Sequence, residues 1–374
     1  MRLSPTAWVT YVPERLAGRG SFTSAATRNL LKIQGYDGTR LQTPLNFDVY
    51  GYRFSIRGAP AEAVENVAQD FAFFAAPDAE ANVTLELFDQ NPPPDGMPVS
   101  DAVVYTPRNV VYRSGGRRYI DYHGRAMGIQ EERTGNLKLY SQDPSLIYEA
   151  AYLYLLSQVG RHLDQRGLHR IHALGVVIRN RAVLVLLPMG GGKSTLGLHL
   201  MNYPEVRILS DDSPFLDRQG RAFAFPLRLG LLPGSEDSVP AEYRRVIQRM
   251  EFGPKHLVNY AFFKDRVCAS GDPGLVLIGA RTLGRTCRIE ELGTFSGLRA
   301  CIANCVVGVG LFQGMEFILQ SSGWELLKHL GTGISRFRNC AQLVRRSRVC
   351  RVHLGADSDL NARTVLHYAS QLDV

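Results

Sequence analysis

A chain of 374 residues, 45% hydrophobic and 21% charged, is long enough for two cores and has the makeup of an ordinary globular protein. Its longer apolar runs, such as VLVLLPM at 183–189, stop far short of the roughly 20 residues a membrane helix needs, and MRLSPTAWVTYVPERLAGRG has no apolar stretch behind its charges, so a cytoplasmic protein with neither anchor nor export signal is expected. The formal charge of +8 attracts anions of every kind, yet no reader motif accompanies it, which argues against nucleic acid as the main ligand.

In chain order, residues 1–142 read as a small α+β unit. VTYV, FDVYGYRFSIRG at 47–58, VTLELFD at 83–89 and the meander VVYTPRNVVYRSGGRRYIDYHG alternate β-branched or aromatic residues with polar ones, the pattern of an antiparallel sheet. APAEAVENVAQDFAFF at 59–74 reads as a helix between them, and the prolines of NPPPDGMPVSD at 91–101 mark a loop, because proline neither donates to a sheet nor continues a helix. This unit is expected to present or shape the site for an acceptor.

A second unit, 143–374, opens on the apolar helix DPSLIYEAAYLYLLSQVGRHLDQRG, entered through Asp143-Pro144-Ser145 and closed by Gly167. Strand IHALGVVI, a tight turn at Arg179-Asn180, strand AVLVLL, a glycine loop, helix KSTLGLHLM and strand VRILSDD follow. That succession is the heart of a nucleotide-binding α/β unit. Strands are expected at 274–280, 287–292 and CRVHLG, and helices at 296–306, 323–346 and 358–370. The basic run RRSR at 345–348 reads as the solvent side of a helix. Cys301 and Cys305, four apart with no histidine or carboxylate beside them, read as buried thiols on one helical face rather than metal ligands, and all six cysteines as reduced.

The glycine loop carries the chemistry. Gly190, Gly191 and Gly192 let the backbone approach an anion, Lys193 opens the helix and supplies charge, and Ser194, followed by Thr195, offers a hydroxyl for a metal ion. Asp211 and Asp212 end the next strand, where acids point into the ligand crevice. One suits a magnesium ion and the other a proton from an attacking hydroxyl. His172 lies on the strand before the loop strand. Arg228 and Lys255, further on in AFPLRLGLLPGSE and EFGPKHLVN, are candidate clamps for phosphate or substrate.

These motifs resemble those of HPr kinase/phosphorylase and the looser group of HPr-kinase-like P-loop proteins, whose fold is related to that of PEP carboxykinase. IHALGVVI, LPMGGGKS and LSDDSPF stand in the order of that family's histidine strand, GxSGxGKS loop and Asp-Asp strand end. Fifteen residues separate His172 from Leu187 and seventeen separate Ser194 from Asp211, and the likeness covers about residues 165–235. Leu187 and Met189 replace the loop's first glycine and its serine, and the family's downstream ELRGLGI-like signature is missing, which argues against HPr itself as acceptor and against the reverse phosphorolysis. The resemblance implies an α/β P-loop kinase that uses ATP and Mg²⁺, with Lys193 on the phosphates, Ser194 and Asp212 at the metal, Asp211 as general base and His172 supporting the acid pair. It also implies a serine of a protein or peptide as acceptor, with a ribosomally made precursor peptide as one candidate, and leaves a homo-oligomer open. A small-molecule kinase and an ATPase or switch without an acceptor remain as alternatives.

Overall fold

The computed structural model describes residues 40–93, 97–188, 190–231, 239–250, 253–307 and 323–372. The strand expected at VTYV, Met189 of the glycine loop and the centre of the proline loop lie outside them. The chain enters through β1 (Leu41–Val49) and β2 (Tyr52–Gly58), where the single piece 47–58 is in fact a hairpin. Tyr50 (φ 52°) and Gly51 (φ 90°) take left-handed conformations to turn it. Helix α1 (Ala61–Asp70) leads to β3 (Val83–Phe88), followed by β4 (Ala102–Tyr105), β5 (Val110–Ser114), β6 (Arg117–Asp121), β7 (Met127–Glu131) and β8 (Leu137–Tyr140).

These eight strands form one sheet in the order β1-β2-β3-β8-β7-β6-β5-β4. The expectation of an antiparallel sheet needs correction, because β2 runs parallel to β3 and β3 parallel to β8. For β2 and β3 the cause is α1, because a helix between two neighbouring strands carries the chain back to the same end of the sheet; β8 comes to lie beside β3 after the antiparallel run of β4 to β7. Helix α2 (Pro144–Gln165) starts as its sequence predicts, with the Asp143 side chain accepting from the amides of Ser145 and Leu146 and proline in the first turn. Its Ile147, Ala151, Leu155, Val159 and Leu163 are buried with Phe47, Phe54 and Phe71 of the first unit. The same cluster takes in Phe215, Phe225, Leu227 and Ile247 further along the chain, so this helix packs toward both regions.

The second sheet is built from β9 (His169–Arg170), β10 (Leu174–Ile178), β11 (Arg181–Leu186), β12 (Val206–Ser210), β13 (Phe215–Leu216), β14 (Ala222–Phe223), β18 (Ser270–Arg281), β19 (Arg288–Glu291) and β20 (Arg348–Leu354). Between them come α3 (Lys193–Leu200), after β11, and a three-stranded antiparallel sheet of β15 (Leu229–Gly230), β16 (Arg244–Arg249) and β17 (Gly253–Val258), after β14. Helices α4 (Thr294–Ile302) and α5 (Gly323–Arg345) precede β20, and α6 (Ser358–Ser370) follows it. Strand β10 pairs antiparallel with both β11 and β12, while β11, β18 and β20 are mutually parallel neighbours. Strands β11, β12, β18 and β20 therefore all end at one edge of the sheet.

Both faces are covered. Val183 and Val185 of β11 pack with Leu196 and Leu200 of α3 and with Ala362 and Val365 of α6. Ala182, Leu184 and Leu186 pack with Cys301, Cys305 and Cys340 and with Leu343 of α5. All six cysteines are free thiols. Arg345 ends α5, and Arg348 already belongs to β20, so RRSR spans a helix end and a strand start. The described residues form a mixed α/β fold with three sheets, and among them no helix is long and apolar enough to cross a membrane.

Candidate functional site

The site forms where β11 and β12 end. Past Leu186 the chain turns through Leu187 and Pro188, and the Gly191 amide donates back to the Pro188 carbonyl at 3.0 Å. Gly190 (φ 73°) and Gly192 (φ 97°) hold left-handed conformations, which explains the demand for glycine there. Gly192 is the N-cap of α3, and no side chain caps the helix. The amides of its first turn therefore lack a side-chain acceptor, and the positive end of the helix dipole favours an anion in front of them. Leu187, where the motif would have glycine, is 1% exposed and part of the apolar core below the loop. Its side chain fills the space left by Gly279 on the neighbouring β18 and does not plug the cleft.

Lys193 is 7% exposed. Its Nζ donates to the carbonyls of Leu187 at 2.6 Å and Pro188 at 3.4 Å, and lies 2.9 Å from His172 Nε2. An ammonium has only donors, so Nε2 accepts, and the ring proton of a neutral His172 sits on Nδ1. That nitrogen is 3.1 Å from Asp212 Oδ1, which makes His172 a bridge from the loop cation to the acid. Burial holds the Lys193 ammonium below its ordinary pKa, against the pull of Asp212 and Asp211.

The two adjacent carboxylates diverge. Asp211 is 4% exposed. Its Oδ2 accepts from Ser194 Oγ at 2.7 Å and from the Gly230 amide at 3.2 Å, while its own amide donates to the Tyr260 hydroxyl at 3.0 Å. Its Oδ1 is buried and has no hydrogen-bond partner among the described residues. Burial pushes this carboxyl up to about 6; the Ser194 hydrogen bond opposes the rise and the Asp212 charge adds to it. Asp212 lies in the same crowded cleft but opens toward solvent, with its side chain 60% exposed. Desolvation pushes its carboxyl up, but the His172 hydrogen bond and the charges of Lys193 and Lys255 outweigh this and hold it below the ordinary range. Environment thus drives two neighbouring acids apart, one proton-hungry and one firmly ionised.

Of the remaining candidates, Lys255 joins the site and Arg228 does not. The Lys255 Nζ lies 3.6 Å from the point where a β-carbon on Gly230 would stand, and its charge lowers both acids. Arg228 instead points into the protein: its Nε donates to Asp70 at 3.0 Å and its Nη1 to Glu149 at 3.2 Å, and it lies over the Tyr152 ring. Thr195 is half-buried in the first turn of α3. Gly230 and Tyr260, which fix Asp211 from behind, carry no signal in the sequence; only the return of β15 and the segment after β17 to the end of β12 brings them there. Among the described residues no group of three or more His, Cys, Asp and Glu is set to hold a metal. The hard oxygens of Ser194, Asp211 and Asp212 nonetheless suit Mg²⁺, which takes one or two carboxylates and completes its shell with water and phosphate oxygens.

No protein-family model and no curated protein matches this chain. Among solved structures that match is the Hpr(Ser) kinase/phosphatase from Coxiella burnetii, which is 13% identical. The match covers 55% of this chain and 97% of that one, with a TM-score of 0.25.

Proposed function

We propose that this protein is a kinase that transfers the γ-phosphate of ATP to a hydroxyl, with a serine of a protein or peptide as acceptor. One observation carries the reading: Ser194, second residue of a helix entered through a glycine loop, is hydrogen-bonded to a buried carboxylate whose other oxygen is left without a partner. A buried orphan carboxylate oxygen is costly, and a phosphate-bound cation would satisfy it.

In this reading the amides of Gly192 to Ser194 and the Lys193 ammonium bind the phosphates, with Lys193 leaving the loop carbonyls to do so. The contacts favour exchanging the roles expected for the two acids. Asp211, beside Ser194, holds the metal ion; Asp212, exposed to the cleft, receives the acceptor hydroxyl. Ser194 and Asp211 would hold Mg²⁺, which would supply positive charge against that of the phosphates. The acceptor oxygen bonds to the γ-phosphorus as the bond to the β–γ bridging oxygen breaks, ADP leaves, and the hydroxyl proton passes to Asp212. His172 holds Asp212 and Lys193 in register, and Lys255 offsets charge beside them. An ionised, low-pKa carboxylate is sufficient here, because phosphoryl transfer asks for orientation and charge compensation more than for a strong base.

The test follows γ-labelled ATP incubated with Mg²⁺ and serine-containing peptides or small alcohols. Asp212→Asn is expected to bind nucleotide normally and lose transfer by about 100-fold or more, whereas Lys193→Ala loses both. Label that reaches only water, at a rate untouched by Asp212→Asn, would replace the kinase with an ATPase.

A further inference from the structure

We infer that Arg281 is a phosphate-contacting residue of this nucleotide site, a second cation that closes on the loop from the β18 side; the inference rests on the kinase reading above. Strand β18 runs parallel to β11, with Ile278 opposite Leu186. Arg281 therefore stands three residues beyond the partner of the last loop-strand residue, at the edge where the glycine loop turns over. Its Nη1 lies 3.7 Å from where a β-carbon on Gly192 would be, so the guanidinium rests against the last glycine before the open end of α3. Arg281 is exposed, and among the described residues its guanidinium has no hydrogen-bond or ion-pair partner.

The charge balance at the loop gives this arginine a task. Lys193 is engaged by Leu187, Pro188 and His172, and Arg228 is spent on Asp70 and Glu149. Lys255 approaches Ser194 from the Gly230 side, and Arg281 approaches Gly192 from the other neighbouring strand. Both lie against the loop and the first turn of α3, where Ser194 donates to Asp211 Oδ2 and the other oxygen of that carboxylate is buried without a partner among the described residues. A di- or triphosphate seated on these amides presents oxygens on more than one side, and a planar guanidinium with paired donors suits them. The ligand class is therefore a polyphosphate chain rather than a single phosphate.

Isothermal titration with Mg-ATP, Mg-pyrophosphate and AMP separates the outcomes. Arg281→Ala, a surface change expected to melt like the parent protein, should weaken Mg-ATP and Mg-pyrophosphate about 10- to 100-fold and leave AMP unchanged. Arg281→Lys should recover only part of the loss, because a point charge lacks the fork. Parent protein that binds Mg-ATP while Arg281→Ala binds it equally well overturns the inference and spares the kinase. Equal weakening of AMP also overturns it, since the residue then acts elsewhere than on the polyphosphate. Parent protein that binds none of the three removes the nucleotide site itself.

Discussion

Asp211 stores a conflict that a melting curve can read. Its carboxyl titrates near 6 in the folded protein and near 3.9 once unfolded. Between those values the native state holds a proton that the unfolded chain has released, so stability falls as pH rises from about 4 to 6, and the full penalty remains at every higher pH. Asp211→Asn carries no charge to bury, and its amide oxygen still accepts from Ser194. The variant should therefore melt at least about 2 °C above the parent at pH 8, with the gap closing toward pH 5; a parent protein that melts higher at pH 8 would show that the carboxylate is already satisfied. Mg-ATP should reverse the order by stabilising the parent and not the variant. Asp212 has the opposite sign: a depressed carboxyl adds stability above its unfolded pKa and loses it as pH falls through the lower folded value.

At the scale of elements, much of the site was legible because glycine, lysine and acid positions are tied to strand ends. The strand β11, the helix at Lys193 and the next strand fall where alternation and glycine punctuation put them, as do α2, β20 and α6. Two things escaped. Local pattern does not say which strands pair, so the parallel entries of β3 and β8 stayed hidden, and so did the return of Gly230 and Tyr260 to Asp211. Leu187 looked like a defect in the loop, yet it is a core residue placed over a glycine of the adjacent strand. The loop's first position is thus a packing position, and changes there should cost stability rather than binding. Leu187→Ala is expected to lose about 2–5 kcal/mol in denaturant unfolding while the folded fraction binds Mg-ATP within about threefold of the parent, since the Lys193 contact is to the Leu187 backbone carbonyl. A large loss of affinity at unchanged stability would return Leu187 to the site.

At the scale of the molecule, the first two helices are joined to the chain beyond β14 by a buried charge cluster that no motif announces. Asp70, the last residue of α1, is 1% exposed. It accepts from Arg228 Nε at 3.0 Å, from the Tyr148 hydroxyl of α2 at 2.7 Å and from Arg245 of β16. Glu149 of α2 takes the other side of Arg228, so two acids meet two arginines and the cluster is neutral. Burial disfavours the Arg228 charge, but Asp70, with Glu149, holds its pKa above the ordinary value. Two residues along the chain from Arg228, the Gly230 amide bonds Asp211, so this cluster also sets one wall of the site. Removing one acid from such a cluster strands a cation in the interior, at a cost of about 3–5 kcal/mol, whereas an apolar replacement of both partners is often nearly neutral. Asp70→Asn should accordingly destabilise strongly in urea unfolding, and replacing all four charges, Asp70→Leu and Glu149→Leu with Arg228→Met and Arg245→Met, should recover most of that loss because no charge is left stranded. If the four changes together are no better than Asp70→Asn alone, the cluster is held by its tyrosines and apolar neighbours rather than by charge. Because Gly230 follows Arg228 so closely, the recovered variant should still bind Mg-ATP but lose transfer, the sign that the cluster sets the position of the acids as well as adding to the fold.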